Sequence, residues 1–88
     1  MTTVIWKYVL KIEEVQNVKM PADAKILGVF VQSNQPVLYA MTNPRYESEA
    51  VVIYTFATGQ FAPLEAFHYI GTYLVNEGTF VGHVFTKA

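Results

Sequence analysis

A chain of 88 residues with six Lys and Arg against seven Asp and Glu is one domain, too evenly charged to track the phosphates of a nucleic acid. It has no cysteine, which excludes disulfide staples and thiolate metal sites. Hydrophobic residues make up 52% and charged residues 15%, more apolar content than so small a domain buries within itself, so a homo-oligomer is expected.

Thr3–Ile12 alternates as a strand: Val4, Trp6, Tyr8, Leu10 and Ile12 form an apolar face, with Lys7 and Lys11 among residues of the other. Glu13-Glu14 breaks the run. Val15–Met20 reads as a more polar strand, ended by Pro21, which fixes φ and cannot donate to a ladder. Lys25–Gln32 is a third strand, apolar on both faces, with Gly28 marking a bulge or a close backbone approach. A turn at residues 33–36 leads to a fourth strand, Val37–Met41, and a polar loop over 43–48 to a fifth, Ala50–Phe56. Residues 58–67 lack a period, and Gly59 and Pro63 oppose a regular helix, leaving an ordered loop with at most one helical turn around Leu64-Glu65-Ala66. His68–Phe85 is the clearest hairpin, and 86–88 is expected to fray.

About seven short strands with turn signals every 8–12 residues predict an all-β fold, a small antiparallel sandwich or barrel, in a single domain spanning 1–88. No basic-then-apolar leader precedes Val4, and no apolar run approaches the roughly 20 residues of a membrane helix, so no membrane partner and a cytosolic location are expected.

Within the hairpin, a two-residue Glu77-Gly78 turn would force Glu77 to positive φ. A three-residue Asn76-Glu77-Gly78 loop places the glycine at the left-handed position instead. That register pairs Val75 with Thr79, Leu74 with Phe80, Thr72 with Gly82 and Ile70 with Val84 on a core face. It pairs Tyr73 with Val81, Gly71 with His83 and Tyr69 with Phe85 on the other. The second face then reads as a tyrosine-rich oligomer interface or a slot for a planar ligand.

His68 and His83 are the only histidines, and neither is flanked by acidic residues at ligand spacing, so no metal is expected. Thr58-Gly59 is a faint fragment of a phosphate-cradling loop, more simply a strand-ending turn. Arg45, the sole arginine, sits beside Tyr46 in the polar loop, a pairing that suits phosphate and base stacking or a merely solvated charge. No nucleophile–base–acid order or paired carboxylates appear. The expected ligand-binding set is therefore His83, Tyr69, Tyr73, Arg45, Tyr46, Thr58 and Gly59, with no catalytic residue, no cofactor and no enzymatic activity.

Trp6-Lys7-Tyr8, Met20-Pro21-x-x-Ala24-x-Ile26-Leu27, Thr58-Gly59, Tyr69-Ile70-Gly71-Thr72 and Phe80-Val81-x-His83-Val84-Phe85 together resemble an uncharacterised family of small, mainly phage-encoded proteins. The resemblance covers nearly the whole chain. It departs at Tyr39, where the family tends to have tryptophan, and at Gly82, where it tends to have a bulky aromatic. If those positions line a shared site, it is more open here. The resemblance implies a protein acting in the host cytoplasm, of a kind that often blocks host defence. The expected function is a non-catalytic homo-oligomeric binding protein that sequesters a nucleotide-derived signal. The alternatives are an inhibitor directed at a host protein and a minor virion component.

Overall fold

The computed structural model describes residues 2–63 and 67–87. Their strands are β1 (Val4–Val9), β2 (Val15–Pro21), β3 (Lys25–Gln32), β4 (Gln35–Thr42), β5 (Ser48–Ala57), β6 (Phe67–Val75) and β7 (Phe80–Lys87). They build two antiparallel sheets, ordered β1-β4-β3 and β2-β5-β7-β6. The fold is all-β, as the alternation and turn spacing predict, and the sheets do not close into a barrel. The suggested helical turn at Leu64-Glu65-Ala66 lies outside the described residues.

Local chemistry accounts for each corner. Ser33 and Asn34 both take positive φ (52° and 58°), the mirror-image two-residue turn whose twist matches a hairpin, and Gln32 and Gln35 pair directly beside it. Beyond β1 the chain passes to the other sheet through residues 10–14, held by Leu10 N–H donating to Pro36 O (2.9 Å) and Thr55 N–H donating to Glu14 O (2.8 Å). Gly28 follows a bulge between Ile26 and its own pairing with Tyr39, the irregularity its sequence position suggests.

The core joins both sheets: Val29 and Leu38 from one, Ile53, Tyr73, Val75 and Val84 from the other, with Leu10 from the corner. Two glycines let the elements approach. A Cβ on Gly71 would lie 2.8 Å from Val29 Cγ1, so β3, the edge of the first sheet, rests directly on β6, the edge of the second. A Cβ on Gly82 would lie 2.6 Å from the Tyr73 ring, which covers the glycine from its paired position on β6.

Three expectations need correction. The β6–β7 register is one residue off over most of its length: Val75 pairs with Phe80, Leu74 with Val81, Tyr73 with Gly82, Thr72 with His83 and Gly71 with Val84. The loop holds four residues, and Asn76, Glu77 and Gly78 all take positive φ (52°, 56° and 82°). Glu77 therefore adopts the very conformation that argued against it, at about 1–2 kcal/mol. Two effects outweigh that cost. The observed register buries Tyr73 and Val75 together, an apolar side chain so buried contributing about 1.5–3 kcal/mol, whereas the expected core face holds Leu74, Thr72 and Ile70, with a polar threonine at its centre. The loop is also anchored from outside, since Asn76 N–H donates to Asn34 Oδ1 (2.8 Å) and Asn34 Nδ2 donates to Asn76 Oδ1 (2.9 Å). Only Tyr69 keeps its expected partner, Phe85, because a bulge at Ile70 restores the offset.

Secondly, Thr86 and Lys87 do not fray; as part of β7 they pair with His68 and Phe67 of β6, while Ala88 lies outside the described residues. Thirdly, the apolar face of β1 is not all core. The strand stops at Val9; Leu10 is buried, but Val4, Trp6 and Ile12 remain exposed.

Tyr73 and Thr55 bury hydroxyls that make no well-aligned hydrogen bond among the described residues. Burial pushes the Tyr73 phenol up, and the neighbouring Thr55 hydroxyl offsets part of that without closing a bond. Since the raised pKa belongs to the folded state, this contribution to stability is present below the ordinary tyrosine value, about 10, and is lost as pH rises above it. Tyr73→Phe should accordingly be neutral or stabilising by up to about 1 kcal/mol at pH 7 and should flatten the alkaline fall in urea midpoint. Gly82→Ala, which drives a methyl into the Tyr73 ring, should destabilise by about 1–3 kcal/mol with an unchanged urea m-value.

Candidate functional site

The candidate site is a row of hydrogen-bonded side chains on the face of the four-stranded sheet that points away from the core. In β7, Gly82 and Val84 face inward, so His83 faces outward, between Phe56 on β5 and Thr72 on β6. Its Nε2 lies 2.7 Å from Thr58 Oγ1 and its Nδ1 lies 3.0 Å from Thr72 Oγ1. Thr72 Oγ1 is in turn 2.6 Å from the Tyr69 hydroxyl. The row therefore runs Tyr69–Thr72–His83–Thr58 and draws on both strands of the hairpin and on the turn after β5.

That turn is built locally. Gln60 N–H donates to Ala57 O (3.0 Å), and Gly59 sits at φ 88°, the position where such a turn requires glycine. Gln60 Oε1 accepts from Ala57 N–H (2.9 Å) and its Nε2 donates to Glu14, pinning the turn to the β1–β2 corner. Thr58-Gly59 is thus a strand-ending turn whose threonine also reaches His83.

Chemically, the row is polar and adaptable. Each ring nitrogen of His83 meets a hydroxyl that can rotate to donate or accept as the ring requires. His83 and Thr58 have the spacing of a base and a hydroxyl nucleophile, but Thr72, not a carboxylate, holds the far nitrogen, so the third member of a catalytic triad is not present in this row. Among the described residues, no three His, Cys, Asp or Glu side chains are grouped so as to hold a metal. The row suits binding: any hydroxyl–imidazole contact can be exchanged for one to a ligand.

Beside the row lies an aromatic cluster. Tyr69 meets Phe85 edge-on at 5.4 Å, Phe85 meets Phe56 at 5.8 Å, and Phe67 reaches Tyr54 at 4.8 Å. Phe56 is buried beneath its neighbours while Tyr69 is 60% exposed, so the cluster presents one open tyrosine face next to the polar row.

The structure brings together His83, Tyr69 and Thr58, with Gly59 adjacent. The other expected residues fall elsewhere. Tyr73 is core, at 2% exposure, because the bulge at Ile70 puts it on the opposite face from Tyr69. Arg45 and Tyr46 belong to the β4–β5 loop at the start of β5, with that ten-residue strand, about 30 Å of it, separating them from Thr58. Their loop closes on itself through Asn43, whose Oδ1 accepts from Arg45 N–H and whose carbonyl accepts from Tyr46 N–H. Tyr39 and Gly82 line no shared site: Tyr39 packs on Phe30 in the three-stranded sheet, and Gly82 lies under Tyr73. Thr72 is the residue the sequence reading missed. Its neighbours are visible in Tyr69-Ile70-Gly71-Thr72, but a bulge-free register assigns it to the core.

A cleft of about 190 Å³ opens between Ile12, Glu13 and Glu14 of the β1–β2 corner, Thr55 and Ala57 of β5, Gln60 and Phe80. It is smaller than the roughly 300–1,000 Å³ of a typical ligand pocket and is separate from the His83 row.

A family model described as "Domain of unknown function (DUF7352)" matches residues 1–88. The chain belongs to that family. No curated protein and no solved structure matches it. Roles for the residues of this DUF7352 chain therefore rest on their geometry. In that geometry Thr72 is the hinge of the row, touching both Tyr69 and His83. Thr72→Val should release the His83 ring, mixing its two tautomers as read by ¹⁵N NMR of the imidazole, and cost about 0.5–1.5 kcal/mol of stability.

Proposed function

We propose that the chain is a non-catalytic binding protein that acts as a homo-oligomer, and that its ligand is a nucleotide-derived signal held at the Tyr69–Thr72–His83–Thr58 row. One observation carries the reading: an exposed tyrosine ring stands next to a line of exchangeable hydrogen-bonding groups. A planar base stacks on the tyrosine face, and its polar edge or ribose exchanges bonds with Thr58 and His83. Ile5, Trp6 and Val9, large apolar side chains left in solvent, support the homo-oligomer. The resemblance to phage proteins supports placing this activity in the host cytoplasm, where removal of such a signal would blunt a defence response; that step is analogy.

A second reading, inhibition of a host protein, is favoured by the large apolar side chains left in solvent, among them Phe61 at 99% exposure and Phe30 at 52%. Thermal denaturation against a panel of cyclic nucleotides and ADP-ribose isomers, with mass spectrometry of small molecules that copurify, separates the two. The first reading expects a rise of several degrees with at least one ligand, reduced about tenfold in affinity by His83→Ala. Unchanged melting at saturating concentrations of every ligand, together with a stoichiometric host protein on pull-down, would transfer the assignment to the second.

A further inference from the structure

We infer that β1 is the self-association edge of the protein, pairing antiparallel with β1 of a second copy across a two-fold axis at Trp6. This deepens the homo-oligomer reading above and rests on it.

The two sheets have four edge strands, β1, β3, β2 and β6. Of the four, β3 and β6 lie against each other, leaving β1 and β2. β2 is polar, with Gln16, Asn17 and Lys19, and ends at Pro21, the composition of a protected edge. β1 has neither proline nor bulge, and Lys7 is its one charge. Leu10 N–H donates to Pro36 O, and the even-numbered residues of β1 continue that phase toward β4. The N–H and C=O groups of Ile5, Lys7 and Val9 therefore point away from β4, and among the described residues no strand pairs with that edge. Both faces at this edge are also greasy: Ile5 is 58% and Val9 54% exposed on one, Val4 37% and Trp6 43% on the other. Only another strand satisfies such an edge while covering both faces.

Self-complementarity then fixes the register. Paired residues in an antiparallel ladder point to the same face, so a two-fold axis must fall on a residue rather than between two. Over a strand as short as Val4–Val9, two axes give the longest overlap. An axis at Lys7 sets Lys7 directly opposite the partner's Lys7, a repulsive pair. An axis at Trp6 sets Trp6 against the partner's Trp6, Val4 against the partner's Tyr8 and Ile5 against the partner's Lys7. It also makes Ile5 with the partner's Lys7 a hydrogen-bonded pair, as the outward phase of the odd residues requires. The product is a continuous six-stranded sheet, β3-β4-β1 joined to its copy.

Single-cysteine cross-linking tests this in a chain that has no cysteine of its own. The Trp6 pair occupies a non-hydrogen-bonded site, with Cα atoms about 4.5 Å apart, inside disulfide range. Mild oxidation of Trp6→Cys should yield a covalent dimer of twice 9.9 kDa, whereas Val9→Cys, about 20 Å from its symmetry mate, should yield none. Light scattering supplies the second arm. Ile5→Lys, on an exposed side chain, sets two lysines against each other and should weaken dimerisation at least tenfold with an unchanged circular dichroism spectrum. Adding Lys7→Glu should restore it. An oligomer that survives Ile5→Lys, or that links at Lys7→Cys or Val9→Cys and not at Trp6→Cys, would overturn the β1 interface and leave the homo-oligomer reading standing. A wild-type monomer at every concentration would overturn both.

Discussion

The Tyr73 ring lying on Gly82 sets the geometry of the face that matters. Because Gly82 has no side chain, a whole phenol sits on the β7 backbone and is buried beside Ile53, Val75 and Val84. That contact fixes β6 against β7, and everything on the far side of the hairpin follows from it. With Tyr73 opposite Gly82, Thr72 must stand opposite His83, and the row from Tyr69 to Thr58 can form. In a register shifted by one, His83 would face Gly71 and find no hydroxyl there. The interior aromatic and the exterior polar row are thus two readings of one strand offset.

The strands, their order of appearance and the absence of substantial helix are legible because period-2 alternation and turn residues are local signals. The third strand could be bounded to the residue, Lys25–Gln32, since polar residues and turn formers flank it on both sides. The hairpin register was not legible, for two physical reasons. The positive φ of Glu77 is paid through Asn34, a residue 43 positions earlier in the chain, and no local rule anticipates that anchor. The bulge at Ile70 adds one residue, so Tyr69 and Tyr73 occupy opposite faces although their spacing of four suggests one. For the same reasons His83, Tyr69 and Thr58 were reachable by residue type and strand position, while Thr72 was not.

The surplus of apolar residues also resolves into distinct parts. Some of it covers one side of each sheet in the ordinary way. Some forms the ring cluster of Tyr54, Phe56, Phe67 and Phe85 on the outer face of the four-stranded sheet, where Phe56 is buried. A further part lies along β1 and on the outer face of its sheet, where Ile5, Val9, Phe30 and Met41 meet solvent, while Phe61, Leu74 and Val15 are exposed elsewhere. The β1 part coincides with an edge whose outward backbone groups pair with no strand among the described residues.

The two polar systems of the sheet sandwich sharpen the contrast between core and site. Inside, the Tyr73, Thr55 and Tyr8 hydroxyls are buried without partners, an expense the fold carries for the apolar bodies attached to them. Outside, four polar side chains are linked by three contacts of 2.6–3.0 Å although solvent could have served them. Packing explains the first group, because a phenol and a branched side chain fill the space between sheets whatever their oxygens do. Packing does not explain the second, since loss of its bonds would leave the core untouched. A row that the fold assembles from two strands and a turn, outside the core packing, is the reason the proposed ligand is placed there.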